Sequence, residues 1–311
     1  MSANIVVLGS LNMDFVVRVE HLPAPGETVL GSGFQMIPGG KGANQACAAG
    51  RLAGRGSLTR MVGRVGYDVF ADHLKASLAA AGVDVAFVHA TRSQPTGVAL
   101  IWVDRNGQNS IVVASGANHA LVPADIEGLR GAFRGAGFAL FQLETPLASV
   151  TAALKLAREE GARAILDPAP AQPLPPELLA QVDLLTPNET EALLLLGAKQ
   201  SSSIVNPPEV TGALLALGPK AVILKLGERG SYYDDGTTPL HVPAFRVTPV
   251  DTTAAGDTFN GALAVALAEG QSMAGALRFA NAAAGLSVTR LGAQASIPTR
   301  KEVDELLATG Q

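Results

Sequence analysis

A chain of 311 residues, 48% hydrophobic and 16% charged, has the material for a large buried core, either one large domain or one domain carrying a smaller unit. The formal net charge of −4 and the lack of any Lys/Arg run leave no basic field for nucleic acid or a membrane surface. The single Cys47 excludes an internal disulfide framework, the five histidines (His21, His73, His89, His119 and His241) show no metal-ligand spacing, and the lack of a basic leader or of an apolar run of about 18 residues predicts a cytoplasmic location.

In chain order, short β-rich runs alternate with longer helical patterns, which predicts βαβ units and a mostly parallel, doubly wound sheet flanked by helices. The strands are expected at "NIVVLG", "SLTRMVG", "FALFQL", "RAILD", "VDLLT" and "AVILKLG", and helices beginning near Gly42, Asp68, Leu147, Asn188, Glu209, Gly256 and Met273. Two regions break the rhythm. "FVVRV" with "ETVLGSGFQMI", and later "TGVALIWVDRNGQNSIVVAS", alternate at period two, with Asn106-Gly107 placed like a type I′ hairpin turn. They predict a small β-sheet, from about 14–38 and 96–114, inserted into a single α/β domain spanning 1–311. The Pro-rich "DPAPAQPLPPE" reads as a loop.

Ligands in open α/β sheets bind beyond the carboxyl ends of the strands, and polar residues gather there: Asn12 and Asp14 after the first strand, then Glu144, Asp167 and Asn188, with Gly227 at the last exit. Neither a G-x-G-x-x-G after the first strand nor a G-x-x-x-x-G-K-[ST] occurs, so a nucleotide needs another device. "DTTAAGDTFNGAL" (251–263) supplies a candidate: Phe259, Leu263, Ala266 and Leu267 form one apolar helical stripe, and the N–H groups near Ala254, Ala255 and Gly256 open a helix whose first turn lacks bulk. Asp257 there is either a first-turn carboxylate favourable to the helix dipole, worth ~0.3–1 kcal/mol, or a base beside an anion hole.

"GGKGANQ" (39–45) and "DTTAAGDTFNGAL" together resemble the two signatures of the PfkB-type carbohydrate kinases, and "GSLNMD", "PNETE" and "VTRLGAQ" are similar to its ribose-phosphorylating branch. The match spans nearly the whole chain; without it, "GGKGAN" would read as a glycine turn opening an Ala-rich helix. The resemblance implies ATP-dependent phosphorylation of D-ribose at its 5-hydroxyl, a Rossmann-like domain, a β-sheet lid over the sugar, and a homodimer joined through two lids. It places the sugar site on Asn12, Asp14, Gly40, Lys41, Asn44 and Glu144, where carboxylates and amides can pair each hydroxyl of a pentose. The catalytic base falls on Asp257, with the N–H groups of Ala254 to Asp257 stabilising charge that spreads over the γ-phosphoryl oxygens. An unshifted carboxylate, pKa about 4, already serves as a base at neutral pH.

Magnesium bridging the nucleotide phosphates is implied, with Asn188 and Glu191 similar to the family's pair for phosphate and metal-bound water, although N-x-x-E before "ALLLL" is also a capping box. Nucleotide contacts fall on Lys225, Gly227, Gly230, Gly256 and Asn281. Lys225 stands where many relatives carry a small hydroxyl residue, and reads either as a phosphate contact or as a solvated strand end. A potassium site is implied at Asp251, Thr253, Ser287, Arg290, Gly292 and Ser296, mostly through backbone carbonyls; Asp251 alternatively caps its own turn. The same apparatus would serve 2-deoxyribose, another small sugar or a nucleoside, and a non-catalytic sugar-binding protein would share the fold.

Overall fold

Ile5–Leu8 (β1) is four apolar residues in a row, each at most 1% exposed, as expected of a strand covered on both faces of a parallel sheet. The computed structural model describes residues 4–198 and 205–310. After β1 come β2 (Asn12–Arg18), β3 (Ser32–Gly39), α1 (Lys41–Leu52), β4 (Thr59–Gly66), α2 (Val69–Ala80), β5 (Val83–Thr91), β6 (Gly97–Val103) and β7 (Asn109–Ala114). The middle of the chain adds α3 (Pro123–Ile126), α4 (Arg130–Phe133), β8 (Phe138–Phe141), α5 (Leu147–Glu159), β9 (Arg163–Leu166), α6 (Pro176–Leu179), β10 (Leu184–Leu185) and α7 (Glu189–Leu195). The last part comprises α8 (Pro207–Leu215), β11 (Val222–Lys225), β12 (Ser231–Asp234), β13 (Leu240–Val242), α9 (Ala255–Ala268), α10 (Met273–Ser287) and α11 (Arg300–Thr309).

Nine strands form one sheet in the order β13-β12-β11-β10-β9-β8-β1-β4-β5, parallel from β11 to β5 and closed at the other edge by antiparallel β12 and β13. From β1 the chain winds outward through β4 and β5, then returns to β8 on the opposite side and continues away. The direction therefore reverses beside β1, where the strand ends splay and leave a crevice. One face of the sheet buries the apolar sides of α1, α2, α9 and α10; the other buries α5, α8 and the short helices. Between α1 and α9 the seam is made of small residues. A Cβ on Gly261 would fall 2.6 Å from the Cβ of Ala48 and 2.7 Å from the Gln45 carbonyl oxygen, so only glycine permits this approach.

A second sheet, in the order β3-β2-β6-β7, is mixed: β2 pairs antiparallel with β3 and parallel with β6, and β6 with β7 is a hairpin. Its strands leave Phe34, Met36, Leu100, Ile111, Val112 and Val113 between 42% and 61% exposed. The hairpin turn differs from the type I′ expected at Asn106-Gly107. Gly107 has φ +79°, but Ala254 is the one non-glycine with positive φ among the described residues, so Asn106 is not left-handed. The Asp104 carboxylate accepts the N–H groups of Asn106 (2.8 Å) and Gln108 (2.9 Å), which favours a three-residue loop ending in left-handed Gly107.

Four elements of the architecture carry weaker sequence signals than those expected. β5 mixes buried and exposed positions without clean alternation, β12 and β13 are three or four residues long at an edge, and α11 follows the last recognised motif. Conversely, "VDLLT" contributes only Leu184 and Leu185 to the sheet.

Candidate active site

The polar strand exits converge at the crevice. Gly40 makes the turn into α1 at φ +89°, where an added Cβ would meet the Asn12 amide nitrogen at 2.7 Å; glycine alone accepts both constraints. That turn brings the Lys41 N–H to Glu144 Oε2 (3.1 Å), which also accepts from Ser10 Oγ at 2.5 Å. Asn12 is held from the other side, its Oδ1 accepting from Asn118 Nδ2 at 2.7 Å, while the Asn118 amide also grips the Leu11 backbone. Asn44, on the first turn of α1, donates through Nδ2 to Asp257 Oδ2 (3.0 Å) and leaves its own buried Oδ1 without a partner.

Asp257 is 6% exposed on α9, and Gln45 Nε2 donates to its other oxygen at 3.1 Å. Burial pushes its carboxyl up to about 6, against the pull of the Lys41 ammonium and the Asn44 and Gln45 donors. The unshifted carboxylate expected from sequence is therefore not what the fold provides, although most of it is ionised at neutral pH. Burial, with Glu144 and Asp257 nearby, raises Asp14 to about 7. Burial pulls the Lys41 ammonium down, yet Asp257, Asp167, Glu144 and Glu191 together carry it above the ordinary lysine value. A half-buried cation thus sits among four acids, a setting suited to a ligand made of hydroxyl groups.

At the mouth of α9 the backbone is strained. Ala254 is left-handed (φ 58°), which costs ~1–2 kcal/mol in a residue other than glycine. Ala255 donates weakly to the Thr252 carbonyl (3.3 Å), and Thr258 closes the first helical bond to Ala254 (2.8 Å). The N–H groups of Ala254, Gly256 and Asp257 find no acceptor among the described residues, so they form the free part of the expected anion hole. Beside them lies a cavity of about 650 Å³ lined by Lys225, Gly227, Gly230, Phe245, Gly256 and Asn281, among others. Asn281 anchors one wall, its Nδ2 donating to the carbonyls of Val242 and Pro243.

Asn188 and Glu191 form the capping box of α7, with two reciprocal bonds of 2.8 Å, and do not line this cavity. Lys225 is not a solvated strand end: its Nζ lies 2.9 Å from Asp167 Oδ1 and its side chain is 12% exposed. Asp251 does cap its own turn, Oδ1 accepting from the Thr253 N–H and hydroxyl. Its Oδ2 also accepts the Gly292 N–H at 2.8 Å, which ties the approach to α9 to the following loop. Ser287 and Ser296 turn their hydroxyls back onto the carbonyls of Ala284 and Ala293, and Arg290 pairs with Glu302 at 2.5 Å.

The site-residue assignments made from sequence omit Ser10, Gln45, Asn118, Gln142 and Asp167. Gln45 and Asp167 lie inside segments already singled out, one in "GGKGANQ" and one at a strand exit. The partners that give them meaning are far along the chain: Gln45 meets Gln142 and Asp167, and Asp167 meets Lys225.

A family model described as pfkB family carbohydrate kinase matches residues 2–300. The chain is similar to a ribokinase of Bacillus subtilis (strain 168), 44% identical over 306 residues and covering 98% of this chain and 99% of the relative. A deoxyribokinase of Salmonella typhi is 33% identical over 309 residues, covering 99% and 100% respectively. The solved structure of Arabidopsis thaliana ribokinase complexed with ribose and ATP superposes with a TM-score of 0.90 at 38% identity, covering 99% of each chain.

Proposed function

Because the chain belongs to the pfkB family of carbohydrate kinases, we propose that it transfers the γ-phosphoryl group of ATP to the 5-hydroxyl of D-ribose. The observation that carries this reading is Asp257, buried between the acid-lined crevice and the free N–H groups of α9, and oriented by Asn44 and Gln45. Asn12, Asp14, Gly40, Lys41, Asn44 and Glu144 bind the sugar hydroxyls. Asp257 orients the 5-hydroxyl and accepts its proton as the bond from that oxygen to the γ-phosphorus forms. The bond from phosphorus to the bridging oxygen breaks, and its electron pair leaves with ADP. The Gly256 and Asp257 N–H groups donate to the phosphoryl oxygens, where charge develops. The cavity beside them takes the rest of the nucleotide, with Phe245 as an apolar surface for the base and Gly227, Gly230 and Asn281 in its wall.

Magnesium fits this reading as a phosphate-held ion. No cluster of three or more acid, His or Cys side chains capable of a protein cage occurs among the described residues, and Mg²⁺ ordinarily keeps phosphate and water ligands. Bound there it would neutralise phosphate charge, and Asn188 and Glu191 are the residues that the family resemblance offers to support it, although both are engaged in the capping box of α7. A monovalent cation also fits: of about four acceptor positions on the Asp251 carboxylate, three are taken. Asp251, the carbonyls around Thr253 and the 287–296 loop would hold it, supplying a fixed charge beside the anion hole. The Arg290 guanidinium is turned to Glu302 and does not compete.

D-Ribose is expected to give the highest kcat/KM in a sugar panel assayed with ATP, read by ADP release and by the identity of the product. If 2-deoxyribose or a nucleoside wins by about tenfold or more, the substrate assignment moves to that sugar and the kinase reading stays. The similarity to a deoxyribokinase makes this the competing outcome worth including.

The four-stranded sheet is the lid over the sugar, since β2 carries Asp14 and ends on the exposed surface. Phe34, Met36, Ile111, Val112 and Val113 make a patch that a second copy would cover, and pairing of two lids removes it from water. Light scattering at micromolar concentration should report a homodimer. A monomer mass alone would mean that the lid is covered in another way.

A further inference from the structure

Lys225 and Asp167 form a buried ion pair whose place in the molecule is more telling than its strength. The two side chains are 12% and 4% exposed with the ammonium 2.9 Å from Asp167 Oδ1, and such pairs are poor sources of stability because both ions lose their water. The same Nζ lies 3.3 Å from the point that a Cβ on Gly256 would occupy, so the ammonium rests on the first turn of α9, beside the free N–H groups. It also lines the nucleotide cavity. Asp167 is joined to the base through one residue: Gln45 Nε2 donates to Asp167 Oδ2 at 2.9 Å and to Asp257 Oδ1 at 3.1 Å. Gln142 fixes that amide by donating to its oxygen at 2.7 Å. One chain of contacts therefore runs from the lysine to Asp257.

We propose that Lys225 is a catalytic residue that contacts the transferring γ-phosphoryl group, and that Asp167 and Gln45 are positioning residues that hold it in register with Asp257. This rests on the kinase reading above and deepens it. The proton of the sugar hydroxyl goes to Asp257 and the electron pair of the broken bond leaves with ADP. The ammonium supplies a full positive charge where backbone N–H groups alone supply partial ones. Asp167 neutralises it while no nucleotide is present and aims it at the phosphate when one arrives. A lysine placed only to strap β9 to β11 would have no reason to lie on the first turn of α9.

The test uses Lys225→Met, Lys225→Arg and Asp167→Asn in the full chain. Binding is measured by calorimetry for ADP, which has no γ-phosphate, and for an ATP analogue with an imido β,γ bridge. Lys225→Met should hold ADP within about twofold yet weaken the analogue about tenfold or more, because a charge-assisted contact to the terminal phosphate is lost. Its kcat should fall about 100-fold with the sugar KM little changed, and Lys225→Arg should recover part of it. Asp167→Asn should lower kcat about tenfold, and the double variant should be no worse than Lys225→Met, since residues acting as one unit are not additive. Equal loss for ADP and the analogue, or an unchanged kcat, overturns the proposal and leaves a strap. If the parent phosphorylates no sugar in the panel but the ADP-to-analogue difference persists, the γ-phosphate contact stands and the substrate reading falls instead.

Discussion

Asp257→Asn is expected to lower kcat at least about 100-fold, the scale of a general-base contribution, while ribose and ATP still bind. The replacement keeps the shape of a buried side chain but removes the group proposed to take the proton. It also turns an amide nitrogen toward one of the two donors, Asn44 Nδ2 or Gln45 Nε2, that now satisfy the carboxylate. The parent adds an independent signature in its pH profile. A raised pKa means the carboxyl is protonated at higher pH than usual, and only the ionised form accepts a proton. Activity should therefore be full on the alkaline side and fall as pH drops through about 6, the value set mainly by the burial of Asp257. Asp14, near 7 for the same reason with Glu144 and Asp257 adding to it, should shape sugar affinity over the neighbouring interval. The residual rate of Asp257→Asn should lack the limb near 6. Near-normal turnover in the variant, or an unchanged acid limb, would remove Asp257 from the role of base.

Potassium is expected to raise activity well above sodium, and the effect should disappear in Asp251→Ala. The Asp251 carboxyl is held below its ordinary value, against the effect of burial, by the Thr253 hydroxyl and the N–H groups of Gly292 and Thr253, so it carries its charge at neutral pH. Its two oxygens join the segment entering α9 to the 287–292 loop, and the Val250 and Asp251 N–H groups both donate to the Val288 carbonyl. The strained Ala254 follows three residues later. Ordering this corner fixes the N–H groups proposed to act on the phosphoryl oxygens, and losing one such donor costs ~2.7–4 kcal/mol. The change should appear chiefly in kcat or in the sugar KM. The measurement is a titration of potassium into sodium buffer at constant ionic strength, for parent and variant. Equal rates in the two ions would reduce Asp251 to the turn cap that it visibly is.

The sequence exposes the parts of the molecule whose signal is local. β1 and β8 are unbroken apolar runs and β11 is one as far as Lys225, α1 and α9 begin at glycine motifs, and the strand-exit rule points to the crevice. What it hides is pairwise. Nothing in "FALFQLE" shows that Gln142 steadies Gln45, and nothing near Asp167 shows that its partner is Lys225, 58 residues on. The shift of Asp257 was equally out of reach, because desolvation depends on packing that α1 supplies from the far end of the chain. The hairpin forms where expected, but its turn type differs for a subtler reason: Asn-Gly suggests a type I′ turn, while the carboxylate two residues earlier selects another loop.

The small-residue seam between α1 and α9 has a bearing on how the protein is made. The contacts from Asn44 and Gln45 to Asp257 bridge 213 and 212 residues, so during synthesis the first half of the site waits for most of the polypeptide to emerge. Until α9 arrives, the Ala-rich face of α1 has no cover, and a nascent chain stalled before residue 250 would present that surface to chaperones or to other chains. Such a fragment would hold Asp14, Lys41 and Glu144 without the residue that makes them useful. Assembly of the site thus waits for one late step, and premature termination before α9 leaves the crevice without Asp257 and its contacts to Asn44 and Gln45.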